Sequence, residues 1–218
     1  MNTVREKPST ALSGLYYPNK IARIVLNTLQ DICGEGATKA TLHMAGLSSL
    51  IGNFPPDNLE KLFDFAHFTA IQAALEEVYG VRGGRSLALR AGRTAFMEGL
   101  RNFGALAGAG DLAFRVLPLP AKLRIGLPAM ASIFNNFSDQ RTTVLEKEDH
   151  YSWVETTCPC CWGRQVDKPV CHMGTGLLLG GLHWVSGGLE FRVVQTRCMA
   201  AGDAHCEYVI YKEPLGER

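Results

Sequence analysis

The sequence predicts an α+β fold in which helices fill the first two-thirds of the chain and strands the last third. Three observations predict it. Apolar residues from Asn19 to Asn136 recur mostly at helical spacing, residues beyond Arg141 change to β-branched and alternating segments, and two of those segments flank a short polar turn. The change near residue 140 separates a mainly helical part, 1–140, from a part, 141–218, that carries the chemistry. The two are expected to form one compact unit.

The helices follow in order. Ile21, Ile24, Val25, Leu29 and Ile32 lie on one face, with Asn19 as an N-cap and Gly34 as a stop. Thr38 to Ile51 reads as a shorter helix, Leu59 to Tyr79 as one stopped by Gly80, and Ser86 to Phe103 as the next. Gly104 to Gly110 reads as a connector; it fits no phosphate loop, because no Gly-Lys-Ser or Gly-Lys-Thr follows. After the break at Pro118-Leu119-Pro120, a helix runs from Pro120 to Phe137.

Strands are expected at Arg141 to Lys147, Leu189 to Cys198 and His205 to Lys212, and a helix at Cys171 to Val185, ended by Ser186-Gly187-Gly188. Met199 to Ala204 supplies the small, polar turn of a hairpin between the last two strands. Cys198 and Cys206 stand on either side of its mouth.

Composition narrows the function. At 218 residues and 46% hydrophobic, the chain buries a core without disulfide staples, and seven cysteines, an odd number, fit a reducing compartment. Met1 to Leu15 holds no apolar signal core, and no run of about 18 apolar residues follows. The expectation is a cytoplasmic protein without a membrane span. A net charge of +1, from 22 basic and 21 acidic residues mixed along the chain, is not the footprint of a nucleic-acid binder. Arg82, Arg85, Arg90 and Arg93 read as the solvated flank of a helix.

Six of the seven cysteines fall between Cys158 and Cys206. Packing gives thiols no reason to gather, whereas thiolates sharing a metal ion must converge. The hairpin brings Cys198 and Cys206 together, and Cys171 opens a helix whose N-terminal dipole favours a thiolate. Zinc wants a fourth donor: Gln195 is near in sequence but is a weak ligand, and His172, Asp203 and His205 are chemically better. Thr157-Cys158-Pro159-Cys160-Cys161-Trp162 adds a second group with C-x-x-C spacing, which permits two ligands, a redox pair or half of an iron-sulfur site. His172 to Gly180 holds a Gly-x-Gly-x-x-x-Gly pattern, but no hydrophobic strand runs into it, so close helix packing explains the glycines and no nucleotide cofactor is expected.

Asp167 to Gly176, Gly181-Leu182-His183-Trp184-Val185-Ser186-Gly187, and Gln195-Thr196-Arg197-Cys198 through Ala201-Gly202-Asp203-Ala204-His205-Cys206-Glu207-Tyr208 together resemble the vinyl-4-reductase domain. That family includes hydrocarbon-binding proteins, phenol-sensor domains of bacterial activators, and a protein tied to bacteriochlorophyll 4-vinyl reduction. The resemblance implies helices packed on a small antiparallel sheet around an apolar ligand pocket, of the NO-signalling and Golgi-transport ligand-binding type, usually as a homodimer. In the phenol-sensing relatives a structural zinc is held by three cysteines and a glutamate. The cysteines map onto Cys171, Cys198 and Cys206, and the glutamate position is Gln195 here. Cys158 or Cys161 is the alternative fourth ligand.

For the pocket, Phe96, Met97, Leu100 and Phe103 share a helical stripe, and Phe96, Phe103 and Trp184 are the chosen lining residues. The leading expectation is non-catalytic binding of a small apolar or aromatic molecule, with a structural zinc fastening the hairpin and a partner protein carrying any output. Reduction of a tetrapyrrole vinyl group, or carriage of that substrate, is the alternative, and a signalling or assembly subunit is the third.

Overall fold

In the computed structural model, residues 11–103, 114 and 116–216 are described. The expected class holds: helices stand against a four-stranded antiparallel sheet. A two-stranded ribbon, β1 (Tyr16–Pro18) with β2 (Lys61–Asp64), precedes it and was not anticipated. The expected connector at Gly104 to Gly110 lies outside the described residues.

Helix α1 (Asn19–Cys33) ends, as expected, at Gly34, whose φ of 83° is open to glycine. Asn19 is not its N-cap. Pro18 takes that position without a side-chain cap, and the first-turn N–H groups of Asn19 and Lys20 donate to the carbonyls of Glu60 and Asn58, each at 2.9 Å. The chain leading into β2 thus does the capping, and the Asn19 side chain donates to Asn58 Oδ1 instead. Helix α2 (Glu35–Met44) is shorter than the expected span to Ile51, because Gly46, at φ 74°, turns the chain into a single 3₁₀ turn, Ser48–Leu50.

Helix α3 (Phe65–Phe103) corrects two boundaries. Residues expected to start a helix at Leu59 form β2, and the helix begins after Asp64, whose buried carboxylate accepts from the Ala66 N–H at 2.7 Å and from the N–H groups of Ser13 and Gly14. Burial alone would raise the Asp64 pKa, but these hydrogen bonds hold it below its ordinary value. At Gly80 (φ 71°, ψ 164°) the helix breaks, and it resumes at once rather than at Ser86. Helix α4 (Leu119–Phe137) follows the Pro118 break as expected.

The sheet runs β3 (Arg141–Glu146), β4 (His150–Thr157), β6 (Cys206–Pro214), β5 (Phe191–Arg197). β3, β5, β6 and the hairpin match the expected segments; β4 escaped notice. Tyr151, Ser152 and Trp153 are all buried there, and Glu155 stands among the buried residues as well, so the polar-apolar alternation that marks a strand is erased. On β6 the alternation is clean, with Cys206, Tyr208 and Ile210 inward.

Helix α5 (His172–Ser186) lies across α3 at backbone contact. A Cβ added at Gly176 would stand 2.1 Å from the Leu89 carbonyl oxygen, and one at Gly92 would stand 2.1 Å from that of Met173. The glycine pattern of α5 therefore serves helix packing, as read from the sequence. Among the described residues, no helix is long and apolar enough to cross a membrane.

Candidate metal centre and ligand chamber

Three elements of the sheet layer deliver six thiols to one place. Cys158, Cys160 and Cys161 follow the end of β4, Cys171 immediately precedes α5, and Cys198 and Cys206 flank the β5–β6 turn. None is more than 5% exposed. The Sγ atoms of Cys158 and Cys171 lie 3.7 Å apart, those of Cys161 and Cys206 3.5 Å, those of Cys171 and Cys198 3.8 Å, and those of Cys171 and Cys206 3.9 Å. Thiolates 2.3 Å from a shared tetrahedral ion would stand about 3.8 Å from each other. Cys158, Cys161, Cys171 and Cys206 have all their sulfurs within 4.8 Å of one another and could hold a metal ion. A cubane iron-sulfur cluster seats its cysteines on separate irons, further apart than sulfurs bound to one ion.

Crowding splits the thiols electrostatically. Hydrogen bonding, from Cys158 first, holds Cys206 at about 5 and Cys161 lower still, while hydrogen bonding to Cys158 drives Cys171 up. Burial pushes Cys158 up and hydrogen bonding to Cys161 pushes Cys198 up as well, so a bound metal would have to displace protons from them.

Gln195 sits beside this cluster in a different way from its neighbours. Its Oε1 accepts the Cys171 N–H at 3.0 Å, and its Nε2 donates to the Arg197 carbonyl at 3.2 Å, so the amide orients the residue that carries a sulfur. Asp203 accepts the Cys198 N–H at 2.8 Å and closes the hairpin turn. The C-x-x-C loop is fastened by one face of α3: Thr69 Oγ1 donates to the Pro159 carbonyl at 2.7 Å, Gln72 Nε2 donates to that of Cys160 at 3.4 Å, and Glu76 pairs with Arg164 at 2.8 Å in a largely buried ion pair. Sequence reading missed this clamp, although Thr69, Gln72 and Glu76 are polar residues at helical spacing on an otherwise apolar face.

On the other side of α5 lies an apolar chamber of about 140 Å³. Phe96, Phe103 and Trp184 are all in its wall, with Leu127 and Met130 of α4 and Leu177 of α5. The Trp184 indole stacks on Phe114, with centroids 6.2 Å apart and planes 13° apart. A smaller void of about 50 Å³ shares the walls Ile21, Val25, Ala95, Phe134 and Leu177 and reaches inward to Gln140, Trp153, Glu155 and Cys160.

That inner end is polar. Glu155 Oε1 accepts from Trp153 Nε1 at 2.9 Å and from Gln140 Nε2 at 3.1 Å, and the Tyr17 hydroxyl donates to Gln140 Oε1 at 2.6 Å. Among the described residues, Glu155 Oε2 and the Tyr208 hydroxyl are buried without hydrogen-bond partners. Burial, and next the charge of Cys160, push Glu155 up to about 8. An unfolded glutamate ionises near pH 4.5, so between that value and about 8 the folded chain holds a proton the unfolded chain has lost, and stability falls as pH rises across this window. Glu155→Gln should flatten that slope in denaturant titrations at pH 5.5 and 8; an unaltered slope would show that Glu155 does not carry it.

Comparison with known proteins bears on both features. Residues 149–212, which contain all six clustered cysteines, match the V4R domain. Outside and across the V4R segment, the fold is similar to solved H-NOX proteins. The Fe(II) unliganded H-NOX protein from K. algicida is 13% identical with a TM-score of 0.56, over 92% of this chain and 100% of that one. The H-NOX protein from S. oneidensis in the Fe(II)NO ligation state is 14% identical with a TM-score of 0.53, over 89% and 99%. The expected fold, helices packed on a small antiparallel sheet, is thereby shared with these H-NOX structures. No curated protein matches the chain.

Proposed function

We propose that the protein is a non-catalytic sensor module that binds a small hydrophobic molecule, the size of a single aromatic ring, and that a structural zinc held by the V4R cysteines fixes one wall of the binding chamber. The observation that carries this reading is the apolar space beside α5. At about 140 Å³ it is close to the engineered cavity of about 150 Å³ that takes up benzene. The unpartnered Glu155 oxygen at the inner end favours a ligand with one polar group, as in a phenol.

One of the similar solved structures concerns heme redox potential and protein-induced porphyrin distortion. The residues here do not fit that group: the space suits one ring, and no histidine lines either void. The same lack of room weighs against a chlorophyllide-like ligand, and so against tetrapyrrole reduction or carriage. The reading includes a cytoplasmic homodimer that passes occupancy to a partner protein.

Titration of the protein with phenol, toluene and a linear alkane, followed by tryptophan emission and thermal unfolding, tests the chamber. A saturable change in emission is expected, because Trp184 is in the wall. Ligand at a hundred times its Kd should add about 2.7 kcal/mol of stability. Met130→Trp should abolish both responses by filling the space. No saturable response to any of the three probes would overturn the reading.

A further inference from the structure

The candidate metal centre is not built by residues 149–212 alone. Of the four sulfurs that lie within 4.8 Å of one another, those of Cys171 and Cys206 are placed by the start of α5 and the start of β6. Those of Cys158 and Cys161 belong to the loop after β4. A loop is a less constrained support for a ligand than a helix or a strand. This loop is held from outside the segment, by α3.

Thr69, Gln72 and Glu76 are three and four residues apart and share one stripe of α3. Each reaches the loop. Thr69 Oγ1 donates to the Pro159 carbonyl at 2.7 Å, Gln72 Nε2 donates to that of Cys160 at 3.4 Å, and the two Glu76 oxygens accept from the Arg164 guanidinium at 3.2 and 2.8 Å. The Arg164 N–H in turn donates to the Cys161 carbonyl at 3.1 Å. The grips thus fall on the residues between the two cysteines and just after them.

The ion pair has the form of a positioning device. Neither side chain is more than 10% exposed, and a buried pair contributes little net stability once desolvation is counted. Its two N–H···O bonds, however, admit only one placement of the guanidinium. Gln195 offers no substitute for the loop sulfurs, because its oxygen is engaged by the Cys171 N–H and its nitrogen by the Arg197 carbonyl. Four thiolates complete a tetrahedral ion without it.

We infer that Glu76, through Arg164 and with help from Thr69 and Gln72, is a positioning residue for the metal centre: α3 holds Cys158 and Cys161 where Cys171 and Cys206 need them, and so sets how tightly the ion is bound. This rests on the structural zinc of the proposed function and names what controls it.

The test is the zinc affinity of the reduced full-length chain, measured in competition with a chromophoric chelator. Glu76→Gln should bind zinc roughly 10–100-fold more weakly than the parent, the loss typical of an outer partner of a metal ligand. Thr69→Val removes one grip and leaves the ion pair intact; it should weaken binding by less, and it decides the matter if Glu76→Gln does not fold. Leu47→Ala changes a buried residue in the turn after α2, which shares no hydrogen bond with the loop. It should lower the melting temperature and keep the parent's zinc affinity, which separates positioning from general loss of stability. Parent affinity in Glu76→Gln, or in Thr69→Val where Glu76→Gln does not fold, would overturn the inference while leaving the structural zinc in place. So would an equal loss of affinity in Leu47→Ala. A parent chain that takes up no zinc would overturn both.

Discussion

Replacing Cys171 by serine should strip the protein of bound metal and unfold its C-terminal segment at 37 °C. Cys171 lies against Cys158, Cys198 and Cys206 at 3.7, 3.8 and 3.9 Å, so every arrangement of ligands in the cluster loses a corner with it. Structural zinc contributes roughly 10–16 kcal/mol to the folding of small zinc peptides. A whole domain has a margin of only about 5–15 kcal/mol. Loss of the ion also leaves buried thiolates without a counter-charge, beside a carboxyl group that burial already strains. Elemental analysis and circular dichroism of Cys171→Ser read both effects. The same metal content and melting curve as the parent protein would remove the metal centre from the account altogether. Adding a strong chelator to the parent protein should reproduce the loss without any change in sequence.

A second large effect is expected at the crossing of α3 and α5. The Cβ of Gly176→Ala would stand 2.1 Å from the Leu89 carbonyl oxygen and 2.8 Å from its carbonyl carbon. Backbone on both sides prevents relief by rotation of a side chain, so the two helices must part. Overpacking of a core costs typically 1–3 kcal/mol, and this case belongs at or above the top of that range. For a chain of this size about 3 kcal/mol lowers the melting temperature by roughly 6–12 °C. Gly36→Ala in α2 is the control, because nothing lies within 4 Å of its Cβ. There the better helix former should be neutral or stabilising by up to about 1 kcal/mol. Equal melting temperatures for the two variants would show that α3 and α5 do not touch at Gly176.

What the sequence revealed, and what it hid, divides along the range of the forces involved. Helix α4 and strand β6 declare themselves through local periodicity, and the ends of α1 and α5 through Gly34 and Gly187. The start of α3 does not, because Asp64 caps it only when Ser13 and Gly14, fifty residues earlier, fold onto the same carboxylate. β4 is hidden for a related reason: its inward Glu155 is tolerable only with Trp153 and Gln140 in place. In the cluster, spacing alone pointed to Cys171, Cys198 and Cys206, and raised Cys158 and Cys161 as further donors. Cys160 entered only as a member of the group with Cys158 and Cys161. The amide of Gln195 is legible only in three dimensions, where it grips the backbone of Cys171.

Helix α5 begins at the cysteine cluster and, two turns on, supplies Leu177, Gly181, Leu182, Trp184 and Val185 to the chamber wall. Its glycines let it lie so close to α3 that there is no slack between the two ends. If the cysteines hold a metal as proposed, a newly made chain without it would have no fixed wall against which a small molecule can settle. On that proposal, acquisition of the ion would be a step in the maturation of the binding chamber, and a cell short of the metal, or one whose thiols are oxidised, would hold the polypeptide without a formed ligand site.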